Sequence, residues 1–363
     1  MPNFITKRWI PTAVLVLCLC LPASAALATQ QDEQVEYDQA MGLISDWEGR
    51  NDSRDQAVRI ALKMLQDNPD SARAYTILGR AAWRMGYVNG VAYNPGKVKE
   101  AQSYYRKAIA TDRDFLEAEY YLALSHAALK EYDFALRLAD KLEKEHPDWF
   151  RTYFIRMEVA DKKKDHKTLL QLCRDQQKRF PDNETSLRIT ESYLLNAYTG
   201  LSMLDEAETI FARRVQEHPD NAWVLGNYAV FLCDHRKDYD KAIEYARKAL
   251  TIMDYGPGRQ ILAASAVNKA QQLFERGKIE EAEPYFLMAL DNMPNYMQAW
   301  VGLTSINYTL AKRNNDPERL QNAYRDAQNA EKFGMKGQKW SFVQMQIAAD
   351  LARMRKQVAQ NQN

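Results

Sequence analysis

Four times in this chain an alanine is followed twelve residues later by a proline: Ala57/Pro69, Ala135/Pro147, Ala207/Pro219 and Ala282/Pro294. An apolar residue stands three positions ahead of the alanine as Tyr132, Leu204 and Ile279. The same pair recurs without the proline as Val98/Ala101 and Tyr239/Ala242. A chain phased in this way is an array of one small unit.

Each mark has a physical cause. Ala282, Phe286 and Ala289 are spaced four and three apart, so they share one helical face. Alanine on that face lets a second helix approach toward the short end of the usual ~8–10 Å axis separation. Proline lacks an amide donor and clashes with the preceding turn, so Pro294 stops one helix and lets the next begin. An amphipathic stretch such as 222–234 precedes each marked helix, which makes the unit an antiparallel helix pair.

Tyr75, Leu78 and Gly79 followed by Ala101, Tyr105 and Ala108, and Ala282 with Phe286, Ala289 and Pro294, resemble the tetratricopeptide repeat. Trp300 and Leu303 match the first helix of a later unit. The spacings Pro147 to Pro181 and Val98 to Tyr132 are both 34 residues, the period of that family. The resemblance covers roughly 37–334 and departs from the pattern at 150–181, where Leu169 replaces the small residue. It implies an all-α, right-handed superhelical solenoid of stacked antiparallel helix pairs.

The first residues read as an address. Lys7 and Arg8 precede an apolar run from Ala13 to Leu21, and small residues suited to cleavage after Ala25 or after Ala28 follow. The run is shorter than the ~20 residues that span a bilayer. The expected product is exported, into the periplasm of a Gram-negative bacterium, with no membrane insertion of the mature chain. The formal charge is +1, and leaving out Lys7 and Arg8 brings it to −1. There is no basic excess to collect phosphates, which argues against nucleic acid.

The organisation expected is a signal peptide at 1–28, a flexible linker at 29–36, and a solenoid of seven to eight helix pairs at 37–334. A capping helix at 335–358 and a disordered tail at 359–363 follow. The first helix carries Tyr37, Met41, Ile44 and Trp47 as its stripe. The cap places Trp340, Val343, Ile347, Leu351 and Met354 on the last repeat, and its other face, with Gln344, Asp350, Arg353 and Lys356, toward water. No strand-like alternation of useful length occurs. Residues 86–95 form an insertion between two helices. Cys173 and Cys233 fall on helices two repeats apart, beyond the ~7 Å between bridged Cα atoms, and are expected as buried free thiols.

No catalytic residue, cofactor site or metal site emerges. His146 and His218 both lie in Glu-His-Pro and end helices. His126 falls on a packing face, and His166 and His235 lie in charged turns. No histidine pair has zinc-hydrolase spacing, and no phosphate loop or serine elbow is present. The non-catalytic reading is therefore binding.

In the family, partners dock on the concave face lined by the first helix of each repeat. Carried over, that face holds Arg73, Arg80, Trp83 and Arg84, followed by Tyr120, Phe154, Asn196, Trp223 and Gln271. Guanidinium groups grip carboxylates in two-point fashion. The alternative is that these arginines pair internally with Glu117 and Glu119. Tyr87, Asn89 and Tyr93 in the insertion form a candidate binding loop, or pack locally across the hairpin. The expectation is a scaffold for other proteins or extended peptides in a secretion, pilus, transport or polysaccharide-export machine. The alternatives are a small-ligand binder with a pocket among first-helix aromatics, and an enzyme with a polar cluster around His126.

Overall fold

The computed structural model describes residues 23–45, 51–88 and 92–361. Residues 1–22 of the expected signal peptide at 1–28, with Trp47 and Asn89, lie outside the described residues. The chain divides into two compact units, Met1–Tyr193 and Leu194–Asn363.

The first unit pairs α1 (Ala23–Ser45) with α2 (Asn51–Asp67) and α3 (Ala72–Met85) with α4 (Pro95–Thr111). It continues with α5 (Leu116–Ala128) and α6 (Tyr132–Glu145), then α7 (Arg151–Lys162) and α8 (His166–Arg179). Helix α9 (Glu184–Gly200) carries the unit boundary. The second unit contains α10 (Leu204–Glu217) and α11 (Ala222–Phe231), which passes into a π-helical turn at Leu232–Arg236. The pairs α11 with α12 (Tyr239–Ile252), α13 (Gly256–Glu275) with α14 (Ile279–Asn292), and α15 (Met297–Asn314) with α16 (Pro317–Lys332) follow, and α17 (Gln338–Asn361) packs on α16. Each unit is thus a row of antiparallel helix pairs, as the phased marks require.

The marked alanines sit where the helices meet. Ala57, Ala101, Ala135, Ala207, Ala242 and Ala282 are all fully buried. A Cβ on Gly79 would enter the ring of Tyr105 across the α3–α4 pair, so only glycine lets that ring lie flat on α3. The first helix of most pairs ends on a left-handed residue rather than on proline. These residues are Lys130, Lys164, Ser202, Lys237, Gly277 and Asn315, with φ between 50° and 76°. The amide that follows each one reaches back to close the helix end, as Glu131 does to the His126 carbonyl at 2.9 Å and Asp165 to the Ala160 carbonyl at 2.9 Å. His146 and His218 occupy equivalent helix C-caps.

Three expected boundaries are corrected. Residues 29–36 are helical, as part of α1, and not a linker. No glycine or proline interrupts them; Ser71 donates to Glu33 and Arg73 donates to Gln34 at 2.9 Å, tying the segment to α3. The insertion holds a short antiparallel ladder, β1 (Tyr87–Val88) with β2 (Ala92–Tyr93), where no strand was expected. Its base is fixed by the Asn94 amide donating to the Gly86 carbonyl at 2.6 Å and by Asn94 capping α4 ahead of Pro95. The tail is helical as far as Asn361.

The cap buries Trp340, Ile347 and Leu351 as expected. Asp350, expected on the water face, is buried: it accepts from the Tyr308 hydroxyl at 2.9 Å and the Lys312 ammonium at 3.0 Å. Cys173 and Cys233 are buried free thiols. Among the described residues no helix is long and apolar enough to cross a membrane.

Candidate functional site

Ser71 starts α3 by accepting from the Ala74 amide at 3.1 Å. From that start Arg73, Arg80 and Arg84 follow at seven and four residues, along one face of the helix. Helix α5 packs on α3, and α7 on α5, so the first helices of successive pairs are neighbours.

The guanidinium groups of Arg73, Arg80 and Arg151 rest on aromatic rings of a neighbouring first helix or its approach. Arg73 lies over Phe115 at 5.0 Å, Arg80 over Tyr121 at 4.6 Å, and Arg151 over Tyr120 at 5.5 Å. Arg80 also lies 5.9 Å from the Trp83 ring. The rings are themselves in contact: Tyr120 with Tyr121 at 5.0 Å, Tyr105 with Tyr121 at 5.9 Å, and Tyr120 with Trp149 at 5.9 Å. A cation over a ring face is held by the quadrupole without being neutralised.

Arg73, Arg80 and Arg151 take no ion pair from the acids of the neighbouring helix α5 among the described residues. Glu119 is buried and pairs with Lys141 at 2.6 Å. Among the described residues Arg73, Arg80 and Arg151 have no carboxylate partner, which removes Glu119 from the internal-pairing alternative. Burial pushes the hydroxyls of Tyr37 and Tyr120 well above their ordinary range, reinforced by Tyr121. Burial also raises Tyr105, with Arg80 beside it pulling part of the way back. The rings therefore stay neutral, and the face keeps the charge of its arginines.

Of the expected groove residues, Arg80 lies by Trp83 and, through Tyr121, by Tyr120, while Arg73 and Arg84 share its helix face. Trp83 and Tyr120 are 7% and 6% exposed, so they form the layer beneath the arginines and not the contact surface. Phe154 is corrected: it is fully buried, packed 5.8 Å from Phe150 and stacked 6.2 Å from Tyr193, and cannot line a groove. Asn196, Trp223 and Gln271 belong to the second unit, where Trp223 is half-buried against Tyr255 at 4.9 Å and Gln271 bonds Glu275 at 2.9 Å. In the insertion, Tyr93 packs edge-on against Trp83 at 5.7 Å, in favour of local packing, and Tyr87 pairs with Tyr93 in the ladder.

Sequence reading missed Tyr37, Phe115, Tyr121 and Arg151. The available signal was Tyr105, already a packing mark, whose ring reaches the same layer. His126 bonds Glu131 at 2.5 Å and stacks on Phe134 at 5.4 Å. Among the described residues no group of side chains is arranged to hold a metal ion.

Tetratricopeptide repeat models match residues 91–148 and 220–295. No curated protein sequence matches the chain. Among solved structures, a human IFIT1 dimer with PPP-AAAA is similar at 12% identity and a TM-score of 0.54, covering 89% of this chain and 73% of that one. A tetratricopeptide repeat protein from Parabacteroides merdae is 16% identical with a TM-score of 0.40, covering 86% and 99%. Yeast Tom70 is 18% identical with a TM-score of 0.42, and this chain spans 60% of its length. At these identities the likeness is one of fold.

Proposed function

Starting from a chain built of tetratricopeptide repeats, we propose that it is a non-catalytic, exported scaffold that holds other proteins on the first-helix face of its first unit. The observation that carries this reading is the set of arginines, Arg73, Arg80 and Arg151, laid on aromatic rings and lacking carboxylates. Each guanidinium has lost freedom by stacking, so a carboxylate that binds it orders less of the protein on arrival. Extended polypeptide with acidic residues fits such a surface. A formal charge of +1 supports protein over nucleic acid as the partner.

Export to the periplasm rests on Lys7, Arg8 and the apolar run from Ala13 to Leu21. Service in the assembly of a cell-envelope machine rests on that address together with the resemblance of the repeats to tetratricopeptide scaffolds. Cell fractionation with amino-terminal sequencing tests the address: a protein retaining Met1 in the cytoplasm removes it. Capture from periplasmic extract with wild type and Arg80→Glu/Arg84→Glu tests the binding face, with far-ultraviolet circular dichroism confirming the fold. The wild type retains partners that the variant loses. Identical partner sets, from a folded variant, remove the arginine face from the proposal.

A further inference from the structure

A cleft of about 710 Å³ opens between α12, α13 and α14 in the second unit. Three helical stripes face it. Ile243 and Arg247 are four apart on α12, Leu273 lies in the last turn of α13 with Arg276 as its C-cap, and Tyr285 and Met288 are three apart on α14. Ile243 and Leu273 are 6% and 7% exposed and form an apolar floor.

The rim is charged, and its ion pairing is incomplete. Lys269 pairs with Asp240 at 2.6 Å and Lys278 with Glu281 at 3.0 Å, which uses both acids that line the cleft. Arg247 and Arg276 are exposed and have no carboxylate partner among the described residues. Arg247 reaches only the Met288 sulfur, at 3.3 Å, and a thioether is a weak acceptor. The cleft therefore combines apolar area with two uncompensated positive charges. Nothing in the first unit's arginine face contributes to it.

We propose that this cleft is a second docking site, for a segment of a partner polypeptide that carries carboxylates beside large apolar side chains. The apolar side chains lie on Ile243, Leu273 and Met288, and the carboxylates meet Arg247 and Arg276. Its openness suits a chain passing through; a small ligand is held by a cavity that encloses most of its surface. Both guanidinium groups present planar donor pairs that match a carboxylate.

Fluorescence anisotropy tests this with short labelled peptides in which leucine and phenylalanine alternate with glutamate, beside twins carrying glutamine at the same places. The full chain binds the glutamate peptide about tenfold or more tightly than its twin, and the preference shrinks as salt is raised. In an Arg80→Glu/Arg84→Glu background, which disables the first-unit face, the preference persists, and adding Arg247→Glu/Arg276→Glu abolishes it, so this site and the first-unit face fail separately. Both arginines are exposed, and an unchanged thermal melt confirms that the variant is folded. Should the double reversal unfold the protein, Arg247→Gln/Arg276→Gln gives the same reading with a loss of about threefold or more. Equal affinity for the two peptides, no saturable binding of either, or indifference to the arginine changes overturns the proposal.

Discussion

A Cβ placed on Gly302 would fall inside the ring of Phe286, so α15 and α14 touch at a point where no side chain fits. Phe286 is 1% exposed and cannot swing out without leaving its core. Gly302→Ala is therefore expected to lower stability by ~1–3 kcal/mol through overpacking. Gly79→Ala, against Tyr105, should behave alike. Gly42, in α1, has nothing within 4 Å of its would-be Cβ. There alanine should raise stability by ~0.5–1 kcal/mol through helix propensity. Urea denaturation of the three variants checks the contrast in sign.

The left-handed residues that close first helices make a second prediction. Lys130 at φ 65° and Lys164 at φ 56° sit where Gly277 sits in a later pair. Lys130→Gly should be neutral or stabilising by up to ~1 kcal/mol, since relief of the left-handed strain opposes glycine's entropy. Lys130→Val should destabilise by ~1–2 kcal/mol, because a β-branched residue is poorly tolerated there. Thermal melts of both variants decide it. Equal destabilisation by both would mean that the lysine side chain, not the backbone, matters.

These turns also mark where sequence reading stops. Alanine and proline positions were legible because they obey local rules: a small residue at a helix contact, a breaker at a helix end. Lys130, Lys164 and Ser202 share the left-handed conformation of Gly277 with no glycine to show it. The arginine face was half legible. Helical spacing put Arg73, Arg80 and Arg84 together, but only the register between α3 and α5 lays Arg80 on Tyr121. Phe154 was misplaced for the same reason, since its helix was known while the ring of Tyr193 that covers it was not. Residues 29–36 read as loose because they are polar, yet Glu33 and Gln34 find partners 38 and 39 residues away.

The two thiols should be inert in the folded protein. Burial pushes Cys173 up to about 12 and also raises Cys233. Iodoacetamide at pH 8 should label neither until denaturant is added, then both. The raised folded pKa also has a sign in stability. The buried thiol contributes fully below the unfolded value of 9.0 and progressively less between there and about 12, as the unfolded chain ionises first. Cys173→Ala should therefore flatten the alkaline loss of stability, and an unchanged alkaline limb would assign that loss to other groups.

Asp350 supplies the opposite sign at low pH. It is 8% exposed on α17 and accepts from Lys312 and Tyr308 of α15, so one carboxylate fastens the cap to the helix beneath it. The Lys312 ammonium, with the Tyr308 hydroxyl behind it, holds this carboxyl below its ordinary value of 3.8. A lowered folded pKa means the contribution is complete above the unfolded value and fades as pH falls through the folded one. At pH 7 Asp350→Asn should therefore cost ~1–3 kcal/mol, the worth of charged hydrogen bonds left unmade. The gap between wild type and variant should begin to narrow as the pH falls through 3.8 and should close only below the lowered folded value, where both carry a neutral side chain. Melting both proteins from pH 7 to pH 3 measures that gap. A gap constant across the range would assign the role of Asp350 to packing, and protease cleavage within α17 at pH 7 only in the variant would locate the loosened element.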